Sequence, residues 1–497
     1  LHYDLSIPVL DHLGMNHRRE TTSAGFIVCF ATVVSLVAPT AGLAVDAAVL
    51  DACRQYLRAE GAPPAEVLST ITAFDGDIDP ILAALSDSPA TERSDVSGVL
   101  ARQSFRHPEL KQRRAEDQLH FYVPDEYVPS RPYGLIIFMH GGGRTTPRDH
   151  PLHIVTHPDD DPQSIGLQPH LAKQPFILVA PSAPWNETTG ARWNVAEADA
   201  YLRDVMEECC FRFNIDRDRI VLGGYSMGGF GAFHLCQRLN DRLAGGFIYS
   251  GAWKTMHWRA WSGVPLFLRH GRHDASPPDA NGEGGRPRFT DVFYSRTANQ
   301  RLRELKLPSV YVEDDGNHAI RPATEAMQAM ASWARELRRD PFHKSAVAVT
   351  PRGWRVSTDT PTPHSRWITI HQLGEGTLDF DQVVLHGPSP SFEETAEDFG
   401  RQSLERTTLQ APAGVVEATI QPDNAIDVRT QNVRDFSLWL HPAMLDFSAP
   451  VRVSINGEAS QHQVKASLLD ALRSYRRLED WSQIYQAELR LEVKAAP

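Results

Sequence analysis

The chain has 497 residues, 41% of them hydrophobic, enough for a large core and about three domains of ~150 residues each. Acidic residues outnumber basic ones 62 to 50, giving a formal net charge of −12, and no run of lysine and arginine forms a basic stripe; this argues against a nucleic-acid partner. The five cysteines show neither metal-ligand spacing nor a disulfide framework, and no metal or cofactor is expected.

The first feature in chain order is a basic stretch, His17-Arg18-Arg19, followed by an apolar run over residues 25–38, then Pro39 and Gly42-Leu43-Ala44. Basic flank, apolar run and small-residue cleavage site make a signal peptide over residues 1–44, cut near Ala44. The run is short for a membrane span, which needs ~20 residues. A secreted or periplasmic protein without a stable membrane partner is the expectation. Residues 45–115 are rich in alanine and leucine at helical spacing, as in Val49, Leu50, Cys53 and Leu57, and predict a small helical pre-domain.

Residues 116–340 carry the chemistry. The apolar run Leu135-Ile136-Ile137-Phe138-Met139 predicts a buried strand that ends in His140-Gly141-Gly142-Gly143. Glycines there let the backbone approach a substrate oxygen, so an amide of Gly142 or Gly143 can act as an oxyanion donor. Trp185 and Trp193 follow the strand that ends at Ala180, and Trp253, Trp258 and Trp261 follow another over 246–249. Loop aromatics at the end of a sheet line pockets or pack against the core; Trp185, Trp193 and Trp253 are the substrate-binding candidates.

The segment Arg219 to Phe230 is the most informative. A β-branched strand runs into Gly224-Tyr225-Ser226-Met227-Gly228 and then into a small-residue helix over 228–236, the setting of a nucleophile elbow. A serine on so sharp a turn has strained backbone, and the residues two before and two after it must lack bulk. Ser226 is the candidate nucleophile. The helix behind it aims its amides at the reacting carbonyl, with the Met227 N–H as second oxyanion donor.

The strand ending in His270-Gly271 is followed by Arg272-His273-Asp274, and the strand from Ser309 by Asp314-Asp315-Gly316-Asn317-His318 and a helix over about 322–338. Asp274 is preferred over Asp279 and Asp291 as the orienting acid because only it directly follows an apolar strand. His318 is the candidate base. His257 and His270 share that half of the domain, and His273 is the rival base because it adjoins Asp274 in sequence.

These segments resemble the α/β-hydrolase serine esterases and peptidases, with polyhydroxybutyrate depolymerases, feruloyl esterases and predicted peptidases as the nearest group. The resemblance covers about 118–338. It is carried by Tyr122-Val123-Pro124-Asp125-Glu126-Tyr127, the His140 box, Val179-Ala180-Pro181-Ser182-Ala183-Pro184, Asn214-Ile215-Asp216-Arg217-Asp218-Arg219-Ile220, the Ser226 elbow, and the Asp274 and His318 loops. The order Ser, Asp, His is that of this family and of neither chymotrypsin nor subtilisin. The chain departs from the secreted depolymerases in lacking a cysteine beside the oxyanion box. The resemblance implies a doubly wound, mostly parallel α/β sheet and hydrolysis of small or polymeric carboxylic esters through an acyl-enzyme. A prolyl-oligopeptidase-like peptidase, or an idle scaffold with a binding β-domain, is the alternative.

After residue 340 a proline-bearing linker over 341–365 precedes a change of period to two. Phe436, Leu438 and Leu440 alternate with polar neighbours, as do Val451, Val453 and Ile455, which end in the hairpin signal Asn456-Gly457. With a helix over 468–478 and a closing strand through Leu489 and Leu491, residues 366–497 predict a β-sandwich-like accessory domain.

Overall fold

The computed structural model describes residues 46–494 except 87–92, 144–145, 157–165, 188–189, 196, 276, 278–286, 319–323, 352–363 and 392–394. The apolar run at 25–38, the expected cleavage site after Ala44, and Asp279 lie outside the described residues. Among the described residues no helix is long and apolar enough to cross a membrane. Val45–Pro497 form one compact unit.

Eight strands build the central sheet: β1 (Gly98–Gln103), β2 (Leu119–Val123), β3 (Tyr133–Met139), β4 (Phe176–Pro181), β5 (Ile215–Tyr225), β6 (Gly245–Tyr249), β7 (Leu266–Gly271) and β8 (Ser309–Asp314). Their order is β1-β2-β4-β3-β5-β6-β7-β8. β2 is antiparallel to both neighbours, and from β4 to β8 every pairing is parallel. This is the expected α/β-hydrolase sheet. Every residue of β3 and β4 is buried, because helices cover both faces. Leu135, Ile137 and Met139 pack on one side with Ala232, Phe233 and Leu235 of the helix Met227–Arg238. Ile136 and Phe138 pack on the other with Met327, Met330 and Ala334 of the helix Thr324–Arg335.

β1 falls inside the stretch read as helical pre-domain. It is a partly exposed edge strand, so it has no continuous apolar run by which to be recognised. The helices Ala47–Arg58, Ala65–Thr72 and Asp79–Ser86 precede it. Asp46 caps the first, accepting from the amides of Ala48 and Val49 at 2.9 and 3.3 Å. Val49, Cys53, Ile71 and Ile81 share one cluster with Leu468, Leu472 and Ile484, so the helix Leu468–Leu478 completes this small core.

Beyond the catalytic region two sheets face each other across a common core. One has seven strands built around the long strand Ser403–Gln421, and the other four, including Ile368–Leu373, Val433–Leu440 and Ala487–Glu492. Ala348, Val416, Val428 and Val453 from the first meet Ile368, Phe436, Leu438 and Leu491 from the second. Asn456 (φ 52°) and Gly457 (φ 92°) make the expected tight turn between Val451–Ile455 and Glu458–His462.

Two pairings differ from the sequence reading. Ser345–Pro351, within the segment read as linker, is a strand paired with Ser403–Gln421. Its short side chains, Ala346 and Ala348, face a crowded interior and leave a weak alternation signal. The strand Thr255–Met256, from the loop after β6, joins the seven-stranded sheet through Met256 opposite Asp381 and Thr255 opposite Gln382. Asp381 also accepts from Trp258 Nε1 and Arg301 Nε, both at 2.6 Å. Elsewhere on this seam the buried Arg339 bridges Asp218 and Asp480 at 2.7 and 2.9 Å.

Candidate active site

Register carries the candidate residues to one edge. Met139 lies opposite Gly224 and Gly271 opposite Asp314, so the segments that follow β3, β5, β7 and β8 emerge together at the C-terminal ends of the strands. In open parallel sheets this is where ligands bind.

Ser226 has φ 53° and ψ −116°, a conformation L-residues rarely adopt, and its N–H donates to the Tyr249 carbonyl at 3.0 Å. The flanking glycines are required by close packing. A Cβ on Gly224 would fall on the Gly228 backbone, and one on Gly228 would fall on the Met139 carbonyl. A Cβ on Gly141 would stand 3.2 Å from that of Ser226, so the His140 box backs onto the serine.

Ser226 Oγ lies 2.9 Å from His318 Nε2, and His318 Nδ1 lies 2.7 Å from Asp274 Oδ2. The two loops holding the acid and the imidazole are tied to each other. Arg272 N–H donates to the Asp314 carbonyl at 2.8 Å and His273 N–H to that of Gly316 at 3.0 Å. Arg269 grips the Asp314 carboxylate through Nε at 2.7 Å and Nη2, and Asp314 Oδ1 in turn accepts from Gly316 N–H at 2.9 Å. Tyr225 Oη donates to the His318 carbonyl at 2.7 Å.

Asp274 is 3% exposed. Burial pushes its carboxyl up, but hydrogen bonds from His270 and His318 outweigh this and hold it well below the usual carboxylate range. His270 is therefore a member of the site that the sequence left among several histidines. His273, the rival base, is exposed. Asp291 is engaged locally, accepting from Phe293 N–H and from Arg288 at 2.9 Å each.

The box places its glycines unequally. Gly142 has φ +104° and a Cβ there would meet Thr146, so only glycine fits. The Gly143 amide donates to Thr146 Oγ1 at 2.7 Å, which uses one of the expected oxyanion donors in a local turn. His140 is buried with Nε2 accepting from Ala183 N–H at 3.0 Å, so Nδ1 carries the proton toward the Gly141 carbonyl at 2.6 Å. Burial holds its pKa down at about 3.

The three tryptophans separate. Trp193 is fully buried, its Nε1 donating to the His140 carbonyl at 3.0 Å, and supports the box from behind. Trp253 is 2% exposed, with Nε1 donating to the Tyr294 carbonyl at 3.0 Å. Both are packing residues, because a loop aromatic's sequence position does not reveal which way its side chain points. Trp185 is 51% exposed. Among the described residues no cluster of three histidines, cysteines or carboxylates could hold a metal ion.

Strand order, elbow and loop placement define an α/β hydrolase. Residues 129–300 match the phospholipase/carboxylesterase family, which supports a hydrolase enzyme. Among curated proteins the chain is similar to a bifunctional acetylxylan esterase/xylanase of Neocallimastix patriciarum, 24% identical over 190 residues. That match covers 37% of this chain and 25% of the relative, so the chain spans about a quarter of the relative's length. Similar solved structures include a thermostable esterase (21% identity, 48% of this chain and 63% of that one, TM-score 0.37) and a ferulic acid esterase (14%, 44% and 91%, TM-score 0.34). An S-formylglutathione hydrolase from Staphylococcus aureus is also similar (13%, 44% and 93%, TM-score 0.31).

Proposed function

We propose that the protein is a serine hydrolase that cleaves carboxylic esters through Ser226, His318 and Asp274. The observation that carries this reading is the continuous chain from Ser226 Oγ to His318 Nε2 at 2.9 Å and from His318 Nδ1 to Asp274 at 2.7 Å. His318 takes the proton of Ser226 as the oxygen attacks the carbonyl. Asp274 fixes the imidazole tautomer and stabilises the imidazolium. The amides of Met227 and Gly142 receive the oxyanion, an interaction whose loss costs on the order of 100-fold or more in rate. His318 then protonates the leaving alcohol, and water, activated by the same imidazole, releases the acid. The acetylxylan esterase similarity favours acylated polysaccharide over simple lipids as the source of the ester. The apolar run at 25–38 supports export, which N-terminal sequencing of the mature protein would test by finding a start near Val45.

A screen with p-nitrophenyl acetate, acetylated xylan, a feruloyl ester, a polyester film and a prolyl peptide tests the reading, with Ser226→Ala as control. Ester turnover that vanishes in the variant is the expected result. Turnover of the peptide alone would make the protein a peptidase, and no turnover of any substrate would make it an idle scaffold.

A further inference from the structure

Arg192 is a cation beside the elbow that the catalytic chain does not use. Its Nη1 lies 3.8 Å from Met227 Sδ, and a Cβ on Gly143 would stand 3.6 Å from the same nitrogen. The guanidinium therefore lies between the glycine box and the residue that follows Ser226. It is partly buried, and among the described residues it has no carboxylate partner. Other arginines of the domain behave differently: Arg238 reaches Asp199 at 2.9 Å and Arg217 reaches Glu207 at 2.7 Å.

Withdrawing a cation from water against a thioether and a glycine is unfavourable unless an anion completes the site. Among the described residues no carboxylate supplies that anion. A net charge of −12 also repels acidic ligands in general, so an acidic substrate needs a local cation where it is bound. Trp185 pairs with Ala191, and Arg192 N–H donates to the Pro184 carbonyl at 3.1 Å. The exposed indole of Trp185 and the guanidinium thus lie on opposite faces of one hairpin.

We propose that Arg192 is a specificity residue that binds a carboxylate of the substrate, and that the preferred substrates are esters bearing a free carboxylate. This rests on the serine-esterase reading above. A guanidinium is suited to the task because its planar fork matches a carboxylate with two parallel hydrogen bonds.

Three aryl esters test it on the full chain: neutral phenyl acetate, 4-acetoxybenzoate with the charge on the leaving group, and phenyl hydrogen succinate with the charge on the acyl group. The readout is the ratio of kcat/KM for each charged ester to that for phenyl acetate. Arg192→Gln is expected to lower one of these ratios by about 10- to 100-fold, chiefly through KM, and Arg192→Lys to retain part of it. Which ratio falls tells on which side of the scissile bond the carboxylate binds. In the parent protein the same ratio should fall as ionic strength rises from ~20 to ~500 mM, a measurement that stands even where the variant folds poorly. Ratios unchanged by both the substitution and salt would overturn the inference, and so would an equal loss of kcat on all three esters, which would mark Arg192 as an oxyanion donor. Phenyl acetate hydrolysis abolished by Ser226→Ala keeps the esterase reading whatever Arg192 does. Hydrolysis of none of the three would remove both.

Discussion

His270 Nε2 stands 3.0 Å from Asp274 Oδ2, the same oxygen that faces His318 Nδ1. His270 Nε2 also reaches the Thr290 carbonyl at 2.8 Å, so two acceptors keep its proton on that nitrogen, while Nδ1 faces the Ser295 hydroxyl at 2.8 Å. The acid is thus held between two imidazoles, of which only one reaches the serine. Replacing His270 by alanine removes one donor that lowers the Asp274 carboxyl. The acid limb of the kcat/KM profile should move to higher pH and the plateau should fall by about 10- to 100-fold. An unchanged profile would make His270 a packing residue only.

Ser226, His318 and Asp274 should behave as one device. Ser226→Ala is expected to lower ester hydrolysis on the order of 10⁴-fold or more while circular dichroism stays that of the parent. Adding Asp274→Asn to it should cost little more. His273→Ala, at an exposed position, should leave most of the activity. If His273→Ala silenced the enzyme and His318→Ala did not, the base would be misassigned.

Gly228→Ala should be more damaging to folding than its single methyl suggests. The added carbon would fall on the Met139 carbonyl, which is fixed in the sheet, so the elbow or β3 must shift. A loss of about 3 kcal/mol or more in urea unfolding is expected. A variant as stable as the parent would show the elbow to be looser than its backbone contacts imply.

Acid should destabilise the fold before it protonates Asp274. Burial lowers the pKa of His120 to about 4 and of His140 to about 3, and both are fully enclosed. An unfolded histidine takes up its proton near pH 6.5, whereas these stay neutral in the folded protein. Between those values the unfolded state binds more protons, so stability falls as pH falls from about 6.5 toward 4. At pH 5 the penalty is about 2 kcal/mol for each such residue. Melting temperatures at pH 7 and pH 5 check this, and a Tm that stays level or rises would contradict it.

The candidate site segments were legible because the proposed chemistry demands local sequence patterns. A serine at φ 53° must be flanked by glycine, and an acid or base at the sheet edge must follow a buried strand. His270 was less legible because it lies within β7 and reads as one more strand residue. Arg192 and Thr146 gain their meaning only when separate loops meet, and no spacing encodes that meeting. β1 escaped because an edge strand buries too little apolar surface to stand out, and Ser345–Pro351 because it is buried on both faces, which leaves no alternation to read. The hairpin at Asn456-Gly457 was clear because both residues must take left-handed backbone angles.

The pairing of Thr255–Met256 with Thr377–His386 has a mechanical side. The strand that ends at Tyr249 receives the Ser226 N–H, and the chain beyond it enters the accessory sheet through a ladder reinforced at Asp381. A pull on that sheet would be felt at the elbow through covalent chain and not only through surface contact. The β-rich region is accordingly no tethered passenger free to swivel: any polymer it gripped would be presented to the nucleophile at one fixed bearing, and severing the strand would slacken the catalytic edge along with the graft.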